Sequence, residues 1–303
     1  MLAIEAENIE KTYRNNTRAL KGVDLEVKSG RVFTFLGRNG AGKTTFIRIA
    51  GTQLLPTSGE VMVFGNDVVK DADKVRTRIA MVPQEGRPIP LIKTLEHIYY
   101  FCRLRGFSRN DAREATNRVV RELGLEEHKN KLAGHLSGGL KQKVLVAMVV
   151  ASGADLLFLD EPTAGLDPIA RRQVWDAIRF GVEEGQTVFL TTHSMEEAEA
   201  LSHDIAIIDE GRIVASSTLD ELRSSIKEKI CAEITGDFSA EEASSFGRVS
   251  RVGSSTWVYI KDEGAAGELT KAAIKRGSSV NVRSVGLEDI FLEKVGGGIE
   301  KGS

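Results

Sequence analysis

The segment GRNGAGKTT, residues 37–45, constrains this chain more than any other stretch. Gly37, Gly42, Lys43 and Thr44 fill the fixed places of a pattern in which a glycine, four free positions and Gly-Lys-Ser/Thr wrap backbone around phosphate. The residues before it, VFTFL at 32–36, form an apolar, β-branched and aromatic run without alternation, as expected of a parallel strand buried on both faces. Residues 44–50 predict a helix. The glycines let the loop turn tightly and aim its N–H groups inward, and the helix N-terminus adds its positive dipole end. Lys43 can then reach the β- and γ-phosphates of a triphosphate, and Thr44 offers a hydroxyl to Mg²⁺. A chance match in a chain of this length is roughly a one-in-a-hundred event at average composition.

In chain order, residues 2–6 and 23–27 predict strands around the turn-rich segment 11–17, which holds Tyr13. A tyrosine in such a turn is ordinarily loop packing. A turn at 56–59 leads to a strand at 61–64, and a further strand at 79–82 ends at Pro83-Gln84. Residues 94–124 become helical and heavily charged, broken into two helices by Gly106 and Ser108, and read as an insertion rather than part of the sheet. In HLSGGLKQKVLVAMVVA, residues 140, 144, 147, 148 and 151 keep helical spacing, so Ser137-Gly138-Gly139 open a helix. Taken alone, that triplet is an N-cap and a loop.

The run DLLFLD at 155–160 predicts a buried strand ending in Asp160 and Glu161, followed by Pro162. Acids at the carboxyl end of a parallel strand lie where α/β sheets bind ligands. Beside a phosphate loop, Asp160 is expected to hold the Mg²⁺ shell and Glu161 to polarise an attacking water. Ala164-Gly165-Leu166-Asp167 then leads into a helix over 168–184. The strand at 187–191 ends near His193, and strands at 205–208 and 212–215 flank an Asp209-Glu210-Gly211 hairpin turn.

Charge and composition remove several function classes. Lys plus Arg number 41 against 43 Asp plus Glu, a net charge of -2, so no basic field points to nucleic acid. Two cysteines, Cys102 and Cys231, make no disulfide framework and suit a reducing cytoplasm. The N-terminal stretch carries acids among its apolar residues, unlike a signal peptide. The apolar run at 144–151 is far short of the ~20 residues of a membrane span, so a membrane role requires a partner.

The ordered series GRNGAGKTT, Gln84, LSGG, LLFLDEP, AGLD and TTHSMEEAE resembles the ATP-binding subunits of ABC transporters over about the first 218 residues. LSGG is the most diagnostic member, because phosphate-loop kinases and GTPases do not carry it between the loop and the acidic strand. TTHSMEEAE, the apolar residue after LSGG and the tail GLEDIFLEKVGG resemble the drug- and polymer-export branch. The resemblance implies an α/β phosphate-loop NTPase core with a mostly parallel sheet, an antiparallel β subdomain and a helical subdomain at about 90–152. Residues 1–218 would form this ATP-binding domain. Residues 219–303 would add a connecting helix and a small α+β domain of the split βαβ plan, for regulation or dimerisation.

The same resemblance implies roles. Tyr13 would stack on adenine, with Gly37, Asn39, Gly40, Gly42, Lys43, Thr44 and Thr45 binding the nucleotide. Thr44, Gln84 and Asp160 would attend Mg²⁺, Glu161 would be the catalytic base, Gln84 would sense the ion or the water, and His193 would contact the γ-phosphate. Ser137, Gly138 and Gly139 would act on the nucleotide of a second subunit, with Asp167 at the interface. ATP sandwiched between two chains implies a dimer, a homodimer in the simplest case, attached through a permease to the inner face of the cell membrane. Two residues depart from the family pattern: Leu140 replaces the glutamine of LSGGQ, and Lys143 replaces the following arginine. Pro88 and Pro90 predict an exposed loop leading to Leu91 and Ile92 that receives the permease. A soluble ABC-type ATPase acting on DNA or ribosomes is the rival reading, and a small-molecule kinase a third. Neither the long coiled coils nor the zinc-binding cysteines nor the second ATPase domain usual in the rival is evident.

Overall fold

A computed structural model describes residues 1–295, so the last two glycines of the GLEDIFLEKVGG tail lie outside the described residues. The chain divides into two compact units between Ser216 and Ser217. The first begins with β1 (Leu2–Thr12), β2 (Arg18–Lys28), β3 (Val32–Leu36), α1 (Lys43–Ala50), β4 (Ser58–Val63), β5 (Asn66–Asp67), α2 (Ala72–Arg78) and β6 (Ile79–Val82). It continues through α3 (Thr94–Leu104), α4 (Arg109–Glu122), α5 (Gly138–Val150), β7 (Leu156–Asp160), α6 (Pro168–Glu183), β8 (Thr187–Thr192), α7 (Met195–Leu201), β9 (Asp204–Asp209) and β10 (Arg212–Thr218).

Two sheets build this unit. One is four-stranded, in the order β2-β1-β4-β5, and antiparallel throughout. The other is six-stranded, in the order β10-β9-β3-β8-β7-β6, with β9, β3, β8, β7 and β6 parallel. β10 returns along its edge through Glu210 (φ 43) and Gly211 (φ 80), the two left-handed residues that a tight hairpin turn demands.

Every residue of β3, β7 and β8 is buried. One face of these strands sends Phe33, Phe35, Phe158 and Phe189 against Phe46 of α1. The ring of Phe189 has those of Phe33, Phe46, Phe158 and Phe35 at 5.3, 5.5, 5.7 and 5.8 Å. The opposite face packs Val32, Leu157, Leu159, Val188 and Leu190 with Val146 and Val150 of α5 and Val174 and Ile178 of α6. Continuous apolar runs on these strands therefore reflect burial on both sides.

Register then positions the site. Leu36 of β3 pairs with Thr192 of β8, and Thr191 pairs with Asp160 of β7. The segments that leave these strands, beginning at Gly37, Glu161 and His193, consequently emerge side by side at one edge.

Several elements differ from the sequence reading. α1 starts at Lys43, one residue early, and Phe64 leaves β4 for a turn with φ 47. Helices α2 and α7 carry too few turns for periodicity to reveal them. In the 88–92 segment, Pro88 is buried and Ile92 half-buried, with the Ile92 carbonyl accepting from Ala133 N–H at 2.9 Å. The exposed apolar residues there are Ile89 and Leu91.

The second unit starts with α8 (Leu219–Ser224), where Thr218 and Glu221 form a reciprocal cap. There follow β11 (Ile230–Thr235), α9 (Ala240–Ser244), β12 (Arg248–Val252), β13 (Ser255–Ile260), α10 (Glu263–Lys275), β14 (Ser279–Ser284) and α11 (Leu287–Val295). Its sheet is antiparallel in the order β12-β13-β11-β14, the split βαβ arrangement. Ala232, Ile234, Val258 and Ile260 pack with Ala243 of α9 and with Ala266 and Leu269 of α10. From α11, Asp289 accepts two hydrogen bonds from the Arg283 guanidinium, at 2.6 and 3.0 Å.

Candidate functional site

The loop from Gly37 to Gly42 is shaped by positions that exclude a side chain. Gly42 sits at φ 110, where a Cβ would stand 2.6 Å from the Ala19 carbonyl. A Cβ on Gly37 would stand 2.4 Å from the Ile208 carbonyl. The loop can therefore lie directly on β2 and β9, with its backbone turned inward ahead of α1.

Lys43 begins α1 with its side chain almost fully buried. Its ammonium donates to the carbonyls of Gly37 at 2.8 Å and Arg38 at 3.1 Å, and lies 3.1 Å from Glu161 Oε1. Glu161 is the centre of the site. Its Oε2 lies 3.0 Å from His193 Nδ1 and accepts from Gln84 Nε2 at 3.5 Å. Its φ is 51, a left-handed conformation that costs a non-glycine residue on the order of 1–2 kcal/mol and is held here by surrounding structure. The Glu161 N–H donates to the Thr191 carbonyl at 3.0 Å and to Thr191 Oγ1 at 3.2 Å. That same hydroxyl donates to Asp160 Oδ1. One threonine on β8 thus fixes both acids at the end of β7.

Four elements, α1 and the ends of β6, β7 and β8, therefore bring Lys43, Gln84, Glu161 and His193 together, with Asp160 buried alongside. Thr44 is half-buried in the first turn of α1. The hydroxyl of Thr44, the carboxylate of Asp160 and the amide oxygen of Gln84 are hard oxygen donors of the kind a small divalent cation takes. Among the described residues, no group of three His, Cys, Asp or Glu side chains could hold a metal, so an ion would need phosphate oxygens as well. Tyr13 reaches the far end of the loop, its hydroxyl 3.1 Å from Thr45 Oγ1 and its ring 5.6 Å from Lys11 Nζ.

Ser137, Gly138 and Gly139 are not drawn into this cluster. Ser137 caps α5 by accepting from Leu140 N–H at 3.3 Å, and both Ser137 and Gly138 are exposed. A Cβ on Gly138 would meet nothing within 4 Å, whereas one on Gly139 would stand 2.6 Å from Ala170 Cβ of α6. Leu140 packs against Ala133, Leu136 and Val144, which gives the apolar replacement of glutamine a place. Lys143 is buried and donates to Gln173 Oε1 at 3.4 Å; burial pushes its pKa down, against the opposing charge of Asp176. Asp167 caps α6, accepting from Ile169 and Ala170 N–H at 3.0 and 2.9 Å.

Two residues near the acids escaped the sequence reading. Thr191 opens the TTHSMEEAE run at the end of an apolar strand, but nothing in the run marks it as a partner of the acids. Glu197 stands in the TTHSMEEAE run, yet its carboxylate is 1% exposed. It accepts from Thr163 Oγ1 at 2.7 Å and Trp175 Nε1 at 3.2 Å. Burial pushes its pKa above the ordinary carboxylate value, opposed by hydrogen bonds from Thr163, Thr192 and Trp175 and by the Arg171 charge. An acid one helical turn from two apolar positions of a short helix is the available hint.

Residues 20–164 match the ABC transporter family. The daunorubicin/doxorubicin resistance ATP-binding protein DrrA of Streptomyces peucetius is 43% identical over 224 residues, covering 74% of this chain and 68% of that protein. The Nod factor export ATP-binding protein I of Cupriavidus metallidurans is 32% identical over 297 residues, 97% of each chain. Among solved structures, a dimeric ATP-binding cassette in a post-hydrolysis state, bound to ADP and phosphate, aligns with a TM-score of 0.64. It is 27% identical and covers 71% of this chain and 98% of its own.

Proposed function

Because the chain belongs to the ABC transporter family of ATP-binding subunits, we propose that its hydrolysis of ATP drives export through a membrane permease, with two copies closing on the nucleotide. The observation that carries this reading is the convergence of Lys43, Gln84 and His193 on Glu161, beside the phosphate loop.

The triphosphate lies in the 37–45 loop, with Tyr13 against the base. Lys43 exchanges its carbonyl contacts for the β- and γ-phosphates. A magnesium ion held by Thr44 and Asp160 would supply positive charge between those phosphates. Glu161 takes the proton of the attacking water, His193 orients the γ-phosphate, and Gln84 links Glu161 to the helical region that begins after β6. Positioning and charge neutralisation account for most of the rate. The exposed Ser137-Gly138 end of α5 completes the site of the second copy, so ATP favours the dimer and hydrolysis releases it.

Among the described residues no helix is long and apolar enough to cross a membrane. Attachment to the inner face of the membrane would therefore come through the permease. Ile89 and Leu91, with Tyr100 and Leu104 one turn apart on α3, are exposed apolar residues suited to meet it.

The test is capture from detergent-solubilised membranes by the full chain carrying Glu161→Gln, with and without ATP. Hydrolysis is expected to fall ~10²- to 10⁴-fold while ATP traps a dimer and a polytopic membrane protein co-purifies. Leu91→Glu with Ile89→Glu is expected to keep the dimer and lose the membrane protein. Recovery of only ribosomes, nucleic acid or soluble proteins would overturn the reading.

A further inference from the structure

We propose that Glu197 is a positioning residue for hydrolysis: its buried carboxylate ties the segment that follows Glu161 to α7, the helix that starts directly after His193. This rests on the reading of Glu161 and His193 as the groups that act on water and γ-phosphate.

Glu161 and His193 belong to different strands, and neither is held by regular structure. Glu161 has left β7 with φ 51, and His193 has left β8 with an exposed side chain. Their contact at 3.0 Å therefore depends on how the two departing segments are fixed relative to each other. On one side, Thr163 is two residues beyond Glu161, and its hydroxyl donates to Glu197 at 2.7 Å. Its segment is folded back on the acid, with Ala164 N–H donating to the Glu161 carbonyl at 3.2 Å. On the other side, Glu197 belongs to α7, whose cap residue Ser194 immediately follows His193. Thr192 Oγ1 accepts from Ser194 N–H at 2.9 Å, bracketing the histidine.

The second donor to the carboxylate is Trp175 of α6, at 3.2 Å, which anchors it to the scaffold. Glu197 itself sits one turn into α7, its N–H donating to the Ser194 cap at 3.3 Å. Thr163, Thr192, Trp175 and Glu197 are all buried. Water cannot replace these bonds cheaply, and their geometry passes directly to the reacting groups.

Because a small misplacement of catalytic groups costs ~10- to 100-fold in rate, the contacts make separable predictions. The full chain with magnesium and ATP is assayed for kcat and KM. Thr163→Val, which keeps shape and removes the hydroxyl, is expected to lower kcat about tenfold or more, with KM for ATP within about threefold. Glu197→Leu is expected to do the same. Glu197→Gln, whose carbonyl still accepts from Thr163 and Trp175, is expected to restore most of the turnover. Trp175→Phe removes a hydrogen bond from the same carboxylate without touching either departing segment, and is expected to leave kcat within about threefold of the parent.

Equal losses in Trp175→Phe and Thr163→Val would mean a general packing role and overturn the proposal. Parental turnover in Thr163→Val and Glu197→Leu, beside an inactive Glu161→Gln, would overturn it alone. Parental turnover in Glu161→Gln would instead remove the reading on which it rests. Hydrogen exchange on the full chain gives a readout independent of turnover. Thr163→Val is expected to speed exchange in segments 161–166 and 192–195, and unchanged protection there would overturn the proposal.

Discussion

Glu161 combines a strained backbone with three polar partners, and the strain has a purpose only if the carboxylate's direction matters. Left-handed φ turns the side chain back over the strand end, toward Lys43 and His193, instead of onward with the chain. Chemistry-bearing residues of this kind were legible in the sequence because their types and spacings are dictated by phosphate: Lys43, Asp160 and Glu161 follow from the loop and the acidic strand end. Thr191 and Glu197 were not, since both stand in the TTHSMEEAE run but act on residues more than twenty positions away, which the run itself does not reveal. The two cysteines have a different consequence. Burial pushes Cys102 up to about 11 and Cys231 up to about 12, from 9.0, with Asp289 adding to the second. Unfolded thiols ionise from about pH 9 while the folded ones stay protonated, so stability held below pH 9 is lost as pH rises toward 11 and 12. Thermal melts across pH 8–11 are expected to fall with a slope that Cys102→Ala with Cys231→Ala reduces. An unchanged slope would contradict the burial.

At the scale of elements, α5 and α6 meet so closely at Gly139 that its hydrogen faces Ala170, while Gly138 one residue earlier faces open space. Gly139→Ala is expected to push the helices apart and lower the melting temperature by several degrees, in the range of ~1–3 kcal/mol for overpacking. Gly138→Ala is expected to melt with the parent yet fail to hydrolyse ATP, as follows from the proposal that this position acts on the nucleotide of the other copy. A normal rate in Gly138→Ala would remove that assignment. The parallel strands announced themselves by unbroken apolar runs, and α3 and α4 by the break at Gly106-Phe107-Ser108. The short helices did not. α2 buries only Val75, and α7 is seven residues long; each is held by tertiary contacts rather than by its own periodicity.

At the scale of the whole molecule, the first unit contains every residue of the candidate site, and the second has an apolar core of its own. We propose that the second unit stabilises the ATP-bound dimer. Removal of residues 219–303 is expected to leave ATP affinity within about threefold and to weaken dimerisation of the Glu161→Gln chain at least tenfold, about 1.4 kcal/mol. Sedimentation that shows undiminished dimer would rule this out. The chain also has two tryptophans, Trp175 beside Glu197 and Trp257 in β13, one for each unit. Its near-ultraviolet emission is accordingly a two-channel signal: Trp257→Phe leaves a lamp that watches the nucleotide end alone, and Trp175→Phe one that watches only the appended sheet.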